Sequence, residues 1–226
     1  MSKCYLYDVC NHKDCDKDFC MRKYKMDSLY AAALMTDSQK QHVVLKVDQD
    51  STDLEQFKQL ASIEQNICKF IEEGQNLYIH SANCGNGKSS WSIRLAEAYF
   101  NKIWARTNTT CRVLFISVPR FLLALKDNIT TKSTYVEYIK DHVFEADLVI
   151  WDDIAAKMGS EFELTHLLNI IDNRIALGKS NIYTSNLNRQ QLYTALGERL
   201  TSRIANMSID IELFGSDKRF LKLEGN

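Results

Sequence analysis

The fold is decided by one stretch of the sequence, HSANCGNGKSSW, which runs from His80 to Trp91. It follows an apolar run, NLYIHS (76–81), and it precedes a segment with helical periodicity. Consecutive backbone N–H groups at the start of a helix bind anionic oxygens, and glycines allow the close approach and the positive φ that this requires. The stretch therefore predicts a phosphate-binding loop between a strand and a helix.

Residues 82–89, ANCGNGKS, fit the motif G-x-x-x-x-G-K-[ST] except at its first position, where Ala82 replaces glycine. This replacement is tolerable only if Ala82 keeps a negative φ. We expect Lys88 to reach the β- and γ-phosphates of ATP and the Ser89 hydroxyl to bind Mg²⁺. The alternative is a glycine turn with an incidental lysine. The predicted phosphate-binding residues are Asn83, Cys84, Gly85, Asn86, Gly87, Lys88, Ser89 and Ser90.

Two aspartates end a second apolar run, ADLVIWDD (146–153). Asp152 is predicted to hold Mg²⁺ through water, and Asp153 to orient the water that attacks the γ-phosphate. Two aspartates at the start of a loop are common in isolation. A phosphate-binding loop upstream of them favours the functional interpretation.

Short apolar runs alternate with helical segments along the rest of the chain, which predicts an α/β fold with a mainly parallel five-stranded sheet between helices. A further amphipathic helix starts the domain, with apolar residues from Leu54 to Ile71, a cap at Ser51 or Thr52 and a stop at Gly74. The predicted strands are 76–81, 112–118, 147–153, 181–186 and 208–213, and the other predicted helices are 88–106, 119–126, 134–144, 161–177 and 188–206.

The composition excludes few partners. With 28 basic and 29 acidic residues among 226, nucleic-acid binding would need a local patch of positive charge. The N-terminus MSKCYLYDVC lacks the apolar region of a signal peptide, and no apolar run approaches the ~18 residues of a membrane span. We therefore expect a cytoplasmic protein with no membrane partner.

Four of the seven cysteines, Cys4, Cys10, Cys15 and Cys20, fall within the first twenty residues. In a reducing compartment such a cluster indicates a metal rather than disulfides, and four thiolates can close a tetrahedral Zn²⁺ site. His12 could replace one thiolate, and the alternatives are an iron–sulfur cluster or an unstructured tail. The sequence thus predicts a zinc-binding module at 1–35, a polar linker at 36–51 and an ATPase domain at 52–226.

Polar residues after the fourth predicted strand complete the candidate site. The strand NIYTSN (181–186) ends in Thr184, Ser185 and Asn186, where a polar side chain could position water between the aspartates and the γ-phosphate. The segment LGERLTSRI (196–204) carries Arg199 and Arg203 four residues apart, on one face of a predicted helix. The alternative interpretation of these arginines is a solvated helix face or pairing with acidic residues.

Four motifs together, CGNGKSS, LVIWDD, YTSN and GERLTSRI, resemble the AAA+ ATPases of the DnaC/DnaI helicase-loader group, relatives of DnaA and IstB. With the cysteine-rich start, the chain looks most like the loaders encoded by phages of Gram-positive bacteria. The resemblance implies Asn186 as sensor 1, Arg203 as an arginine finger that reaches a neighbouring subunit's ATP, and Arg199 as its auxiliary. It also implies ATP-dependent self-association and no C-terminal lid. Asp153 stands where many AAA+ proteins have glutamate, which suggests slow turnover.

The same resemblance implies two partners, a replicative ring helicase held by the N-terminal module and single-stranded DNA. The DNA would lie on PRFLLALKDNITTKSTYVEYIK (119–140), although its apolar residues are typical of a core. The expected function is ATP-dependent loading of the helicase in a bacterial cytoplasm. The alternatives are an IstB-like transposition ATPase, a small P-loop kinase and an adaptor that binds ATP without hydrolysing it. The candidate DNA contacts are Arg120, Lys126, Lys132, Tyr135 and Tyr138.

Overall fold

The structure, a computed structural model, describes residues 4–6, 10, 19–40, 52–128, 131–156 and 159–215 of the chain. Its centre is a five-stranded sheet in the order β2-β3-β4-β1-β5, and every neighbouring pair is parallel. The predicted parallel sheet is confirmed, with strand ends within two residues of those expected. The strands are β1 Asn76–His80, β2 Val113–Ser117, β3 Leu148–Asp152, β4 Ser180–Ser185 and β5 Ile209–Glu212.

Helices cover both faces of the sheet, because the strands alternate two sets of apolar side chains between two buried clusters. The first cluster takes its helical residues from α1 Met21–Ala32, α2 Leu54–Gln65, α3 Ile67–Glu72 and α4 Lys88–Ile103. The second takes them from α5 Val118–Asp127, α6 Thr134–His142, α7 Glu161–Ala176, α8 Arg189–Thr201 and a π-helical turn, Ser202–Asn206.

The strand order fixes where a site can form. The strand that precedes the glycine-rich loop, β1, is separated by β4 from β3, which ends in Asp152. Parallel strands bring their carboxyl ends to one edge of a sheet, and α/β proteins bind ligands outside that edge. The glycine-rich loop, the aspartates and the polar end of β4 therefore meet at one edge.

Helix α1 packs onto the same core as the predicted ATPase domain. Met26, Leu29 and Tyr30 are buried in the first cluster, and the Tyr30 ring lies edge-on to Phe100 of α4, with ring centroids 5.1 Å apart. After α1, the Ala33 carbonyl accepts a hydrogen bond of 2.9 Å from the backbone of Phe115 in the edge strand β2. The sequence assigned residues 1–35 to a module of their own, yet their described C-terminal part shares its hydrophobic core with residues 52–215.

Two predicted helices are interrupted. The helix expected from 52 to Gly74 is two helices that meet at Asn66, where φ is −104° and ψ is 23°. The helix expected over 188–206 has a kink at Gly197, with φ of 78°, and continues as a π-helical turn after Thr201. Neither break interrupts the spacing of the apolar residues, so hydrophobic periodicity alone could not reveal them.

Within the described part of the chain, no helix has both the length and the apolar character needed to span a membrane.

Candidate nucleotide-binding site

The glycine-rich loop has the backbone that a phosphate-binding loop needs. Gly85 and Gly87 have φ of 70° and 107°, in the region that side chains with a Cβ rarely adopt, and α4 begins at Lys88. Among the described residues, positive φ outside glycine occurs at Leu34, Asp153 and Ala155, so Ala82 keeps a negative φ. The condition that made alanine tolerable in the motif is therefore met.

Polar groups of the loop itself hold the lysine. The Lys88 ammonium donates to the Asn83 carbonyl at 2.8 Å and to Asn86 Oδ1 at 3.3 Å, and the Lys88 side chain is buried. Asn86 is also buried and donates from Nδ2 to Ser81 Oγ. The Asn86 side chain thus orients Lys88. We therefore expect Asn86 to contribute to phosphate binding through its backbone N–H.

Asp152 lies beside the Ser89 hydroxyl, as the motif predicts. Burial raises the pKa of Asp152 above its usual value of 3.8, and the charge of Asp153 raises it further. Hydrogen bonds from Thr184 and Ser89 and the charge of Lys88 oppose this rise in the pKa. A half-buried carboxylate and a hydroxyl side by side are oxygen ligands of the kind that Mg²⁺ binds. The donor set therefore fits the cation, with Ser89 and Asp152 as its candidate protein contacts.

Asp153 has a left-handed backbone, with φ of 57°. Its N–H donates to Thr184 Oγ1 at 3.0 Å, and its side chain is half-buried. Aspartate is enriched among non-glycine residues with such a φ, because its short side chain is tolerated there. The conformation gives a local reason for aspartate at a position where the resemblance led us to expect glutamate.

The sequence interpretation placed Thr184 at the polar strand end but chose Asn186 as the site residue and gave Thr184 no role of its own. Thr184 Oγ1 donates to Asp152 Oδ1 at 2.7 Å and accepts the Asp153 N–H, so this one hydroxyl orients both aspartates. Asn186, the expected sensor, lies two residues further on, half-buried, after the end of β4. The position of β4 between β1 and β3 is the signal that could have identified Thr184.

The two arginines lie at the far end of α8. Arg199 is exposed in the last turn of the helix, whereas Arg203 belongs to the π-helical turn. They are therefore not related by an uninterrupted α-helix, as the sequence suggested. Arg203 Nε donates to Asp172 Oδ1 of α7, and 44% of the Arg203 side chain remains exposed.

The cysteine cluster is only partly described. Cys4 is exposed, Cys10 and Cys20 are half-buried, and the Cys20 sulfur accepts the Lys23 N–H at 3.5 Å as the N-cap of α1. Cys15 lies outside the described residues. Among the residues that the structure does describe, no three potential ligands form a metal-binding group. Because Cys15 is not among the described residues, the zinc site stays a prediction, and no step of the chemistry below uses zinc.

The candidate DNA-binding segment contains both core and surface residues. Phe121, of α5, is buried, whereas Arg120 is exposed and its guanidinium carbon lies 4.5 Å from the centroid of the Tyr135 ring. The Tyr138 hydroxyl is engaged, because it donates to the Ala32 carbonyl at 2.8 Å, and its ring stacks on His142. Tyr138 therefore links α6 to the end of α1 by a hydrogen bond. The exposed candidates for DNA contact are Arg120, Lys126 and Lys132.

Comparison with known families agrees with this geometry. A family model described as IstB-like ATP binding protein matches residues 16–207, most of the chain. The chain belongs to the IstB-like ATP-binding proteins. The match includes the loop, both aspartates, β4 and both arginines, so this IstB-like protein is a P-loop ATP-binding protein with the fold of the AAA+ ATPases.

Individual relatives are similar over different lengths. The replicative helicase loader DnaC of Escherichia coli strain K12 is 28% identical over 127 residues, which cover 56% of this chain and 49% of DnaC. The IstB-like chain thus spans about half the length of the curated relatives that it matches.

Two solved structures share the fold of this IstB-like protein. The crystal structure of the DnaC helicase loader has a TM-score of 0.63 at 18% identity, covering 79% of this chain and 99% of that one. A putative primosome component from Streptococcus pyogenes serotype M3 has a TM-score of 0.63 at 19% identity, covering 86% of this chain and 100% of that one.

Proposed function

We propose that this protein is an ATP-dependent loader that binds a replicative ring helicase and helps to place it on single-stranded DNA in a bacterial cytoplasm. The observation that supports the proposal is that Lys88, Ser89 and Asp152 lie together at one edge of the sheet, while Arg203, with 44% of its side chain exposed, lies in the π-helical turn after α8. Similarity to a helicase loader over about half of that loader's length supports the choice of partner.

Within this function, the chain's own residues have distinct tasks. Lys88 would bind the phosphates, Ser89 and Asp152 would bind Mg²⁺, and Asp153 with Asn186 would orient the attacking water. Thr184 would keep both aspartates in position through the two hydrogen bonds of its hydroxyl. Bound Mg²⁺ would neutralise the negative charge that develops on the transferred phosphoryl group.

Arg203 would act on the ATP of a neighbouring subunit. An arginine finger supplied by another subunit is worth roughly 10³–10⁵ in rate in comparable enzymes. An isolated subunit would therefore hydrolyse ATP slowly, and ATP would hold subunits together. Arg199, exposed one turn earlier, would assist Arg203 in stabilising the phosphate charge at the same interface.

Single-stranded DNA would contact the surface formed by α5 and α6. The stacked pair of Arg120 and Tyr135 offers a cation beside an aromatic ring, and Lys126 and Lys132 are exposed nearby in the sequence. Cations and aromatic rings of this kind bind the phosphates and bases of a single strand.

The helicase contact would include the start of α1. Phe19, Met21 and Tyr24 are each more than half exposed, and the rings of Phe19 and Tyr24 lie 5.9 Å apart. Adjacent exposed apolar side chains are common at protein interfaces. Cys4, Cys10, Cys15 and Cys20 would bind Zn²⁺ in the same N-terminal module. Metal analysis of the purified full chain, with and without Cys15→Ser, tests that part of the proposal.

A second candidate is a transposition ATPase like IstB, because the family model carries that name. The two functions differ in partner, helicase or transposase, and share the ATP site. A P-loop kinase would transfer phosphate as a monomer, and its activity would not depend on Arg203.

Light scattering of the full chain with the host's replicative helicase tests the proposal. We expect a stable complex in the presence of ATP and Mg²⁺, and its loss in Lys88→Ala. A protein that binds a transposase and not the helicase would establish the second candidate instead.

A further inference from the structure

Residues 213–215, directly after β5, are hydrogen-bonded from two sides; we name them the post-β5 segment. On one side, Asn83 Nδ2 of the phosphate-binding loop donates to the Phe214 and Gly215 carbonyls at 3.1 and 3.2 Å. On the other side, the buried Asp53 carboxylate accepts the N–H groups of Phe214 at 2.6 Å and Gly215 at 2.9 Å. The segment thus joins the loop to the residue that precedes α2.

Two further features fix this arrangement. A Cβ at Gly215 would lie 2.7 Å from Asp53 Oδ2, so a larger residue here would force the Asp53 carboxylate to shift. At the start of the segment, Leu213 donates to the His80 carbonyl at 2.8 Å and accepts from Asn86 Nδ2 at 3.4 Å. Both loop asparagines therefore contact the post-β5 segment.

Asn83 also contacts the lysine of the ATP site. Its carbonyl accepts from the Lys88 ammonium at 2.8 Å, while its side chain holds the post-β5 segment. A phosphate bound on the loop would compete for that ammonium, because hydrogen bonds between two charged groups are stronger than those to a neutral carbonyl. The loss of the Lys88–Asn83 hydrogen bond would therefore affect the post-β5 segment through Asn83.

We propose that Asn83 is a positioning residue that couples ATP binding to the post-β5 segment. When phosphates draw Lys88 from the Asn83 carbonyl, Asn83 turns and its two hydrogen bonds to Phe214 and Gly215 break. The coupling is reciprocal, so a chain in which these bonds are already absent binds ATP more tightly. The inference rests on the ATP site and is independent of helicase loading.

Calorimetric titration of the full chain with ATPγS and Mg²⁺ tests the coupling. Asn83→Ala removes two hydrogen bonds that ATP otherwise has to break, so we expect its affinity to rise roughly three- to tenfold. General damage to the loop would weaken binding, so the direction of the change separates positioning from a merely structural role. In the wild type, ATPγS should also shift the NMR signal of the Asn83 side-chain amide, because this group donates both hydrogen bonds to the Phe214 and Gly215 carbonyls.

A double-mutant cycle identifies the route. Asp53→Asn loosens the same segment from its other side, so it should also tighten ATPγS binding, and the double variant should bind no more tightly than Asn83→Ala alone. The matched control is Asn66→Ala, an exposed asparagine between α2 and α3, which should leave the affinity unchanged. Unchanged or weaker binding by Asn83→Ala would overturn the coupling, and a wild type that binds no ATPγS would overturn the ATP site itself.

Discussion

Arg203 and Asp172 of the same chain form an ion pair, in which Arg203 Nε donates to Asp172 Oδ1 while 44% and 41% of the two side chains stay exposed. Exposed ion pairs contribute little to stability, about 0–1 kcal/mol, so Arg203 can leave Asp172 for a phosphate at small cost. The pair holds the arginine at the surface in a defined direction. It therefore suits a residue that acts on a neighbouring subunit.

This pairing predicts complementation between two inactive variants. Arg203→Ala keeps its ATP site, and Lys88→Ala keeps its arginine, so each alone should hydrolyse ATP at least tenfold more slowly than the wild type. Mixed subunits should regain activity, because an intact site then meets an intact arginine. Arg199→Ala is the matched control and should lose less activity than Arg203→Ala. A mixture no faster than its components would show that Arg203 does not act between subunits.

Thr184→Val should weaken Mg²⁺-dependent ATP hydrolysis roughly tenfold or more, because it removes the hydroxyl that orients Asp152 and Asp153. Valine keeps the branched shape, so the strand should fold normally. The measurement is the hydrolysis rate as a function of Mg²⁺ concentration. Thr201→Val is the control, because the buried Thr201 hydroxyl has no partner among the described residues and its loss should change little. Equal rates in both variants would exclude this role for Thr184.

Asp152 predicts a specific pH dependence of stability. Burial raises its pKa in the folded chain above the usual 3.8, so the folded state binds this proton more readily than the unfolded state does. Protonation of Asp152 therefore stabilises the folded chain. This stabilisation is present below the pKa of the unfolded state and is lost as the pH rises through the pKa of the folded state. Asp152→Asn should therefore raise the melting temperature at pH 7, measured without Mg²⁺, and the gain should shrink towards pH 4. A variant less stable than the wild type at pH 7 would contradict this sign.

Gly74 and Gly178, which precede β1 and β4, offer a matched pair for testing a close contact between two backbone segments. Both have left-handed backbones, but a Cβ at Gly74 would lie 2.5 Å from the Gly178 carbonyl oxygen, whereas a Cβ at Gly178 meets nothing within 4 Å. Gly74→Ala should cost about 2–5 kcal/mol of unfolding free energy, and Gly178→Ala about 1–2 kcal/mol. Urea denaturation measures both. Equal costs would mean that backbone strain, and not the close approach, dominates at Gly74.

Much of the fold was predictable because its signals are local. The glycine-rich stretch, the apolar runs and the helical spacing define the five strands and most helix ends, since each depends on a few neighbouring residues. The packing of α1 was harder to predict from the sequence. Met26, Leu29 and Tyr30 show helical spacing, but the sequence does not reveal which surface buries them. The cysteines before them favoured a separate module.

The candidate site residues that belong to a motif could be predicted. Residues whose role depends on the order of the strands were harder to predict. Lys88, Ser89 and Asp152 follow from motifs, whereas the role of Thr184 requires the knowledge that β4 lies between β1 and β3. The contacts of Asn83 and Asp53 with residues 214 and 215 join positions more than 130 residues apart, which no local pattern encodes. Long-range hydrogen bonds of this kind appear only in the folded chain.

The central claim is that ATP bound on this loop drives the loading of a replicative helicase. The most direct measurement is unwinding by a bacterial replicative helicase on a circular single-stranded template annealed to a labelled oligonucleotide, where no free end allows threading. We predict that the wild type with ATP and Mg²⁺ increases the rate of unwinding and that Lys88→Ala does not. Unwinding that is unchanged by the wild type, or stimulated equally by Lys88→Ala, would contradict the account.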